Sequence, residues 1–127
     1  MDIRLKRAYE PAAAADGHRI LIDRLWPRGI SRNQARLDEW EPELAPSTKL
    51  RRWFGHEPSR FEEFRCRYID ELRQQRPRLS ELRRRARQGT LTLVYAAHYS
   101  EHNDAVVLAT VLRRGLPSPT RSAQPRP

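Results

Sequence analysis

The chain has 127 residues, of which 38% are apolar, 25 are basic and 16 acidic, for a formal net charge of +9; this fits one domain with one modest core and a densely charged surface, not two domains. The single cysteine, Cys66, excludes an intramolecular disulfide framework, no apolar run reaches membrane-spanning length, and the start MDIRLKR lacks a signal-peptide core, so a cytoplasmic protein without membrane contact is expected. The charge favours anionic partners, but residues 1–55 hold 11 basic and 8 acidic side chains, 56–89 hold 10 and 6, and 90–127 hold 4 and 2, whereas a dedicated nucleic-acid binder concentrates its excess on one face or arm.

Ile3 and Leu5 alternate with Arg4 and Lys6, the pattern of a half-exposed first strand. Residues 9–18 carry Pro11, four alanines and the turn pair Asp16-Gly17, a connection too short to fix how the first two strands are related. Ile20, Leu21 and Ile22 then form the short apolar run of a strand buried on both faces. It ends in Asp23, Arg24, Trp26 and Arg28, with Pro27 and Gly29 turning the backbone. Such an ending either builds a site from an acid, two guanidinium groups and an indole, or pairs its charges on the surface; spacing alone leaves both open.

Ser31 is placed to cap a short helix through Leu37, and Trp40, Leu44 and Pro46 fit a loop pinned by apolar anchors. Ser47, ahead of Leu50, Trp53 and Phe54, predicts a capped helix ending at Gly55. Ser59 and Glu62 spell a capping box, and Phe61, Phe64, Tyr68 and Leu72 give that helix an apolar face through about Gln74. Pro77, Leu79, Leu82 and Ala86 describe a further helix closed by Gly89, with Arg83, Arg84, Arg85 and Arg87 spread around it. Thr90 to Ala97 is the clearest strand. Asn103 or Asp104 then caps a last helix carrying Val107, Leu108, Val111 and Leu112 and ended by Gly115. Residues 1–115 read as the folded domain and 116–127, rich in proline, as a disordered tail.

The order of elements predicts a small α/β domain with a few-stranded, at least partly parallel central sheet flanked by helices. If the second and last strands are parallel neighbours, their carboxyl ends share the edge where ligands collect in open α/β sheets. That edge would gather Asp23, Arg24, Trp26 and Arg28 with His98, Tyr99, His102 and Asn103, beside the free amides of the last helix. His98 to His102 spells H-x-x-E-H, a pattern of some zinc proteases. It falls in a strand-to-helix loop with no later glutamate, so no metal is expected. Gly-rich phosphate loops, dinucleotide fingerprints and nucleophile elbows are missing from the sequence, and no cofactor is expected. Arg24, Arg28 and Arg51 remain as clamps for carboxylate or phosphate. Asp23 suits a general base or an orienter of Arg24, and Trp26, Trp53 and Tyr95 offer stacking surfaces that serve equally as core.

The pair Lys6-Arg7, Asp16-Gly17, the DRLWPRG run from Asp23 to Gly29, Ala45-Pro46-Ser47 with Leu50 and Trp53-Phe54, His56, Tyr68 with Glu71-Leu72, the strand ending at Tyr95, and His102-Asn103 together resemble the YeaO-like family of small bacterial proteins of unknown function. The resemblance covers roughly residues 3–114 and is specific for the family without naming a reaction. It implies a compact α/β fold in which the DRLWPRG loop, the Pro46-Ser47 turn, His56 and the His102-Asn103 helix start converge. Where similar proteins tend to have a basic residue and then an acid after the last strand, this chain has His98 and Tyr99; chemistry that relied on that acid is lost here. The expectation is an anion pocket, with an enzyme acting on a phosphorylated or nucleotide-like small molecule as one form of it. Arg7, Arg24, Trp26, Arg28, Ser47, Arg51, His56, Tyr95 and Asn103 would contact the ligand, and Asp23 and His102 would move protons. The alternative is a nucleic-acid-binding or regulatory module using the basic surface.

Overall fold

In the computed structural model of the chain the described residues are 1–98 and 102–118, so Tyr99 and the end of the expected tail lie outside them. Four strands, β1 (Asp2–Arg7), β2 (His18–Leu21), β3 (Glu39–Trp40) and β4 (Thr90–Tyr95), form one sheet in the order β1-β4-β2-β3. Every pairing is parallel, which confirms the α/β class. β4 is inserted between β1 and β2, so the two most apolar strands are central and Leu21 lies level with Val94. The described residues also form five α-helices, α1 (Arg32–Ala35), α2 (Thr48–Phe54), α3 (Phe61–Leu72), α4 (Arg76–Gln88) and α5 (Asp104–Arg114). No helix among the described residues is long and apolar enough to cross a membrane.

Strand alternation sorts the side chains to two faces. Ile20, Ile22, Leu91 and Leu93 enter the main core with Phe64, Tyr68, Leu72, Leu79, Leu82 and Leu108 from the helices. Leu21 and Val94 point the other way, into a smaller cluster with Ala8 against Trp26, Ile30 and Leu37. On that second face the chain buries an ion network. Arg19, 3% exposed, donates to Asp16 at 2.6 Å and to the Ala35 carbonyl at 2.8 and 3.1 Å. Asp16 also accepts from Lys6 Nζ at 3.1 Å and the Ala13 amide at 3.0 Å. Gly17 follows at φ 63°, where a Cβ would stand 2.4 Å from the Thr90 carbonyl oxygen, so no other residue fits the crossing beneath β4.

The caps show where local signals hold. Ser31 and Gln34 form a reciprocal capping box at 3.1 and 2.9 Å, but α1 stops at Ala35, short of Leu37, because Arg36 turns left-handed at φ 46°. Ser47 Oγ accepts the Leu50 amide at 3.1 Å, and Asn103, not Asp104, caps α5 by accepting the Val106 amide at 3.0 Å. The expected Ser59–Glu62 box does not form. Pro58 starts a single 3-10 turn through Arg60, which draws Ser59 inside the turn and away from the extended backbone a cap needs; α3 begins uncapped at Phe61. Glu39 and Trp40, expected in a loop, form β3 instead. The amides of Asp38 and Glu41 donate to Arg19 and Leu21 at 2.8 Å each, and Glu39 is held by His18 and Arg78. Of the arginines on α4, Arg83 caps the carboxyl end of α5 by donating to Val111 and Leu112 at 3.1 Å, while Arg84, Arg85 and Arg87 are exposed.

Candidate functional site

Because β2 and β4 run parallel, the loops that leave them open at one edge of the sheet, and a cleft of about 700 Å³ lies there. Its walls hold Asp23, Arg24, Trp26 and Arg28 from the loop after β2, Arg51, Arg52 and His56 from α2 and its end, and His98, His102, Asn103 and Asp104 from the approach to α5. Pro27, Pro46, Phe54 and Phe64 supply apolar surface. The DRLWPRG loop is pinned at several points. Asp23 Oδ2 accepts the Ala96 amide at 2.8 Å, and the Asp23 carbonyl accepts the Trp40 indole N–H at 2.7 Å. Arg24 donates to the carbonyls of Pro46 and Ala45 at 3.2 and 3.3 Å, Trp26 to the Ile30 carbonyl at 2.6 Å, and the Tyr9 hydroxyl to the Arg28 carbonyl at 3.0 Å.

His56 reaches the cleft through a left-handed backbone, φ 58°, directly after Gly55 at φ 53°. A histidine in that region is uncommon and conformationally costly, and such costs recur at binding sites. Its ring lies 6.0 Å from that of Phe54, and the His102 ring meets Phe61 edge-on at 5.0 Å.

Asp104 is the site residue that sequence reasoning missed. It is the first residue of α5 and lines the cleft together with Asp23, close enough for each carboxyl group to act on the other. Two like charges set close together and away from water disfavour each other's ionised form. Burial raises the Asp23 carboxyl, against the Ala96 amide and the Arg51 charge. Burial, together with the neighbouring Asp23 charge, raises Asp104 further, well above the ordinary carboxylate range. Burial and the two acids also raise the Tyr68 phenol, whose hydroxyl donates to the Leu44 carbonyl at 2.5 Å. The sequence offered Asp104 as an alternative cap to Asn103, a role that Asn103 fills.

Raised carboxyls bind more protons folded than unfolded, so the stability they contribute is present below about pH 4 and is lost as pH climbs through their folded values. Asp104→Asn is therefore expected to melt above the parent protein near neutral pH and to lose that advantage toward about pH 4. Thermal melts across that range check this; a pH-independent difference between the two proteins contradicts it.

Of the other candidates, Asp23, Arg24, Trp26, Arg28, Arg51, His56, His102 and Asn103 are brought together around the cleft, and His98 lines it as well. Arg7, Ser47 and Tyr95 stand outside its lining. Arg7 donates to the carbonyls of Ala97 and Ala96 at 2.9 and 3.3 Å and so fixes the loop after β4. Ser47 ties α2 to α3, its amide and hydroxyl donating to Glu71 at 2.8 and 2.7 Å. Tyr95 is buried in the main core.

Comparison with known proteins adds a family and no reaction. Uncharacterized protein YeaO of Escherichia coli strain K12 is 46% identical over 113 residues, covering 89% of this chain and 98% of that protein. Uncharacterized protein Rv3073c of Mycobacterium tuberculosis strain H37Rv is 40% identical over 110 residues, covering 87% of this chain and 92% of its own length. No solved structure gives a significant match. The family model described as the Inactive DUF488-N3 subclade matches residues 2–126. The chain thus belongs to the YeaO-like family, within the group described as the Inactive DUF488-N3 subclade.

Proposed function

We propose that the cleft binds a small anionic molecule, phosphorylated or nucleotide-like, in a cytoplasmic setting. One observation carries this. Arg28, Arg51 and Arg52 line the cleft without a side-chain hydrogen bond or ion pair among the described residues, Arg51 acting on Asp23 through its charge alone, whereas Arg7, Arg19, Arg24, Arg78 and Arg83 are spent on carbonyls or carboxylates. Uncommitted guanidinium groups around a concave site suit carboxylate and phosphate recognition. The family description as inactive favours binding without turnover. Asp23 and His102 then act as ligand contacts and not as proton carriers.

Thermal-shift measurements against nucleotides, sugar phosphates, simple oxyanions and a short DNA duplex test the reading. A ligand at about one hundred times its dissociation constant stabilises the fold by about 2.7 kcal/mol. The expected result is a shift with phosphorylated small molecules that Arg28→Ala abolishes. That variant leaves the fold intact, since the side chain is exposed and the Tyr9 contact uses the backbone carbonyl. A shift with duplex alone, fading as salt rises, would transfer the function to the basic surface; no shift with any anion would refute the pocket.

A further inference from the structure

The cleft sorts its charged groups by depth. Arg28, Arg51 and Arg52 are exposed at its mouth, while Asp23 and Asp104 line the same cleft half-buried. The space is also too large for a bare oxyanion: about 700 Å³ lies within the range of pockets that enclose drug-sized molecules. A phosphate belongs at the guanidinium mouth and is repelled from the acids. What the acids can hold is an uncharged polar group. The two carboxyl groups offer several acceptor lone pairs, of which the Ala96 amide takes one on Asp23 at 2.8 Å. Hydroxyls and ring N–H groups match that set, and the apolar surface of Pro27, Pro46, Phe54 and Phe64 suits a ring.

We propose that the Asp23–Asp104 pair is the subsite for the hydroxyl- or amide-bearing part of the ligand, so that the cleft takes a pentose phosphate or nucleoside monophosphate in preference to inorganic phosphate. The proposal rests on the cleft being an anion site, and its test separates the two. The full-length chain is titrated calorimetrically, at fixed ionic strength, with ribose 5-phosphate, adenosine 5′-monophosphate and inorganic phosphate. At least one organic phosphate is expected to bind about tenfold tighter than inorganic phosphate or better. Asp104→Ala is expected to cut that preference to about twofold without weakening inorganic phosphate, while Arg51→Ala weakens all three. Asp104→Asn, which keeps the size and shape of the side chain, is expected to fold and to retain only about a third of the preference, so the outcome does not depend on the alanine variant. Equal affinities in the parent, or a preference unchanged in the Asp104 variants, overturns the subsite and leaves the anion site standing. No binding of any of the three overturns both.

Discussion

Replacing Asp16 with alanine is expected to destabilise the domain by about 3–5 kcal/mol, the cost of breaking a buried ion pair from one side. Asp16 is 6% exposed and joins Lys6, Arg19 and the Ala13 amide. Without it Arg19, 3% exposed, keeps its charge inside the fold with the Ala35 carbonyl as its one remaining hydrogen-bond partner among the described residues. Removing both charges in Asp16→Ala with Arg19→Met is expected to recover much of the loss, because a buried pair is close to neutral against apolar side chains of similar volume. Burial alone would raise the Asp16 carboxyl, but the Ala13 amide and the Lys6 and Arg19 charges outweigh it and hold it below its ordinary value. Its contribution is therefore present above about pH 4 and fades as pH falls through the lower folded value, so the gap between variant and parent narrows in acid. Urea unfolding measures all three proteins; a loss under about 1 kcal/mol for Asp16→Ala contradicts the account.

Phe64→Ala is expected to cost about 3–5 kcal/mol, the range for truncating a buried aromatic. Phe64 is 2% exposed, stacks on Phe54 at 4.4 Å between ring centroids, and lies 5.9 and 5.8 Å from Phe61 and Tyr68. It belongs to the core and to the wall of the cleft at once, so the aromatic stripe of α3 ties the stability of the fold to the shape of the site. Phe61→Ala, at the half-buried end of the same stripe, is expected to cost no more than about 1–2 kcal/mol. Comparable losses for the two would show that the stripe does not face the core as described.

How far the sequence spoke for this structure depended on the range of the interaction. Ile20 to Ile22 and Thr90 to Ala97 announced buried strands, the latter ending two residues early at Tyr95, because burial on both faces leaves a nearly unbroken apolar run, and the parallel pairing of β2 with β4 places their loops at one edge. The caps at Ser31, Ser47 and Asn103 act within one helical turn and were legible for that reason. The Ser59–Glu62 box failed where Pro58 imposed its own turn on the same residues. β3 has two residues, too few for any periodic signal, and owes its place to β2 and Arg78. Arg19 and Asp104 were opaque for a deeper reason. A buried charge looks in sequence like any surface charge, and only its partners, Asp16 three residues before Arg19 and Asp23 far from Asp104, reveal what it does. The same holds for the arginines, since nothing local separates Arg83, bound to α5, from the exposed Arg28 and Arg51 of the cleft.

The most direct test of the central claim, that the cleft at the carboxyl edge of β2 and β4 is the anion site, is a titration of the ¹⁵N-labelled full-length chain with ribose 5-phosphate followed by amide shifts. Shifts concentrated in residues 23–28, 51–56, 96–98 and 102–105, and suppressed in Arg28→Ala, are the predicted result. Shifts centred instead on α4 around Arg84, Arg85 and Arg87, or no shifts at all, would contradict it.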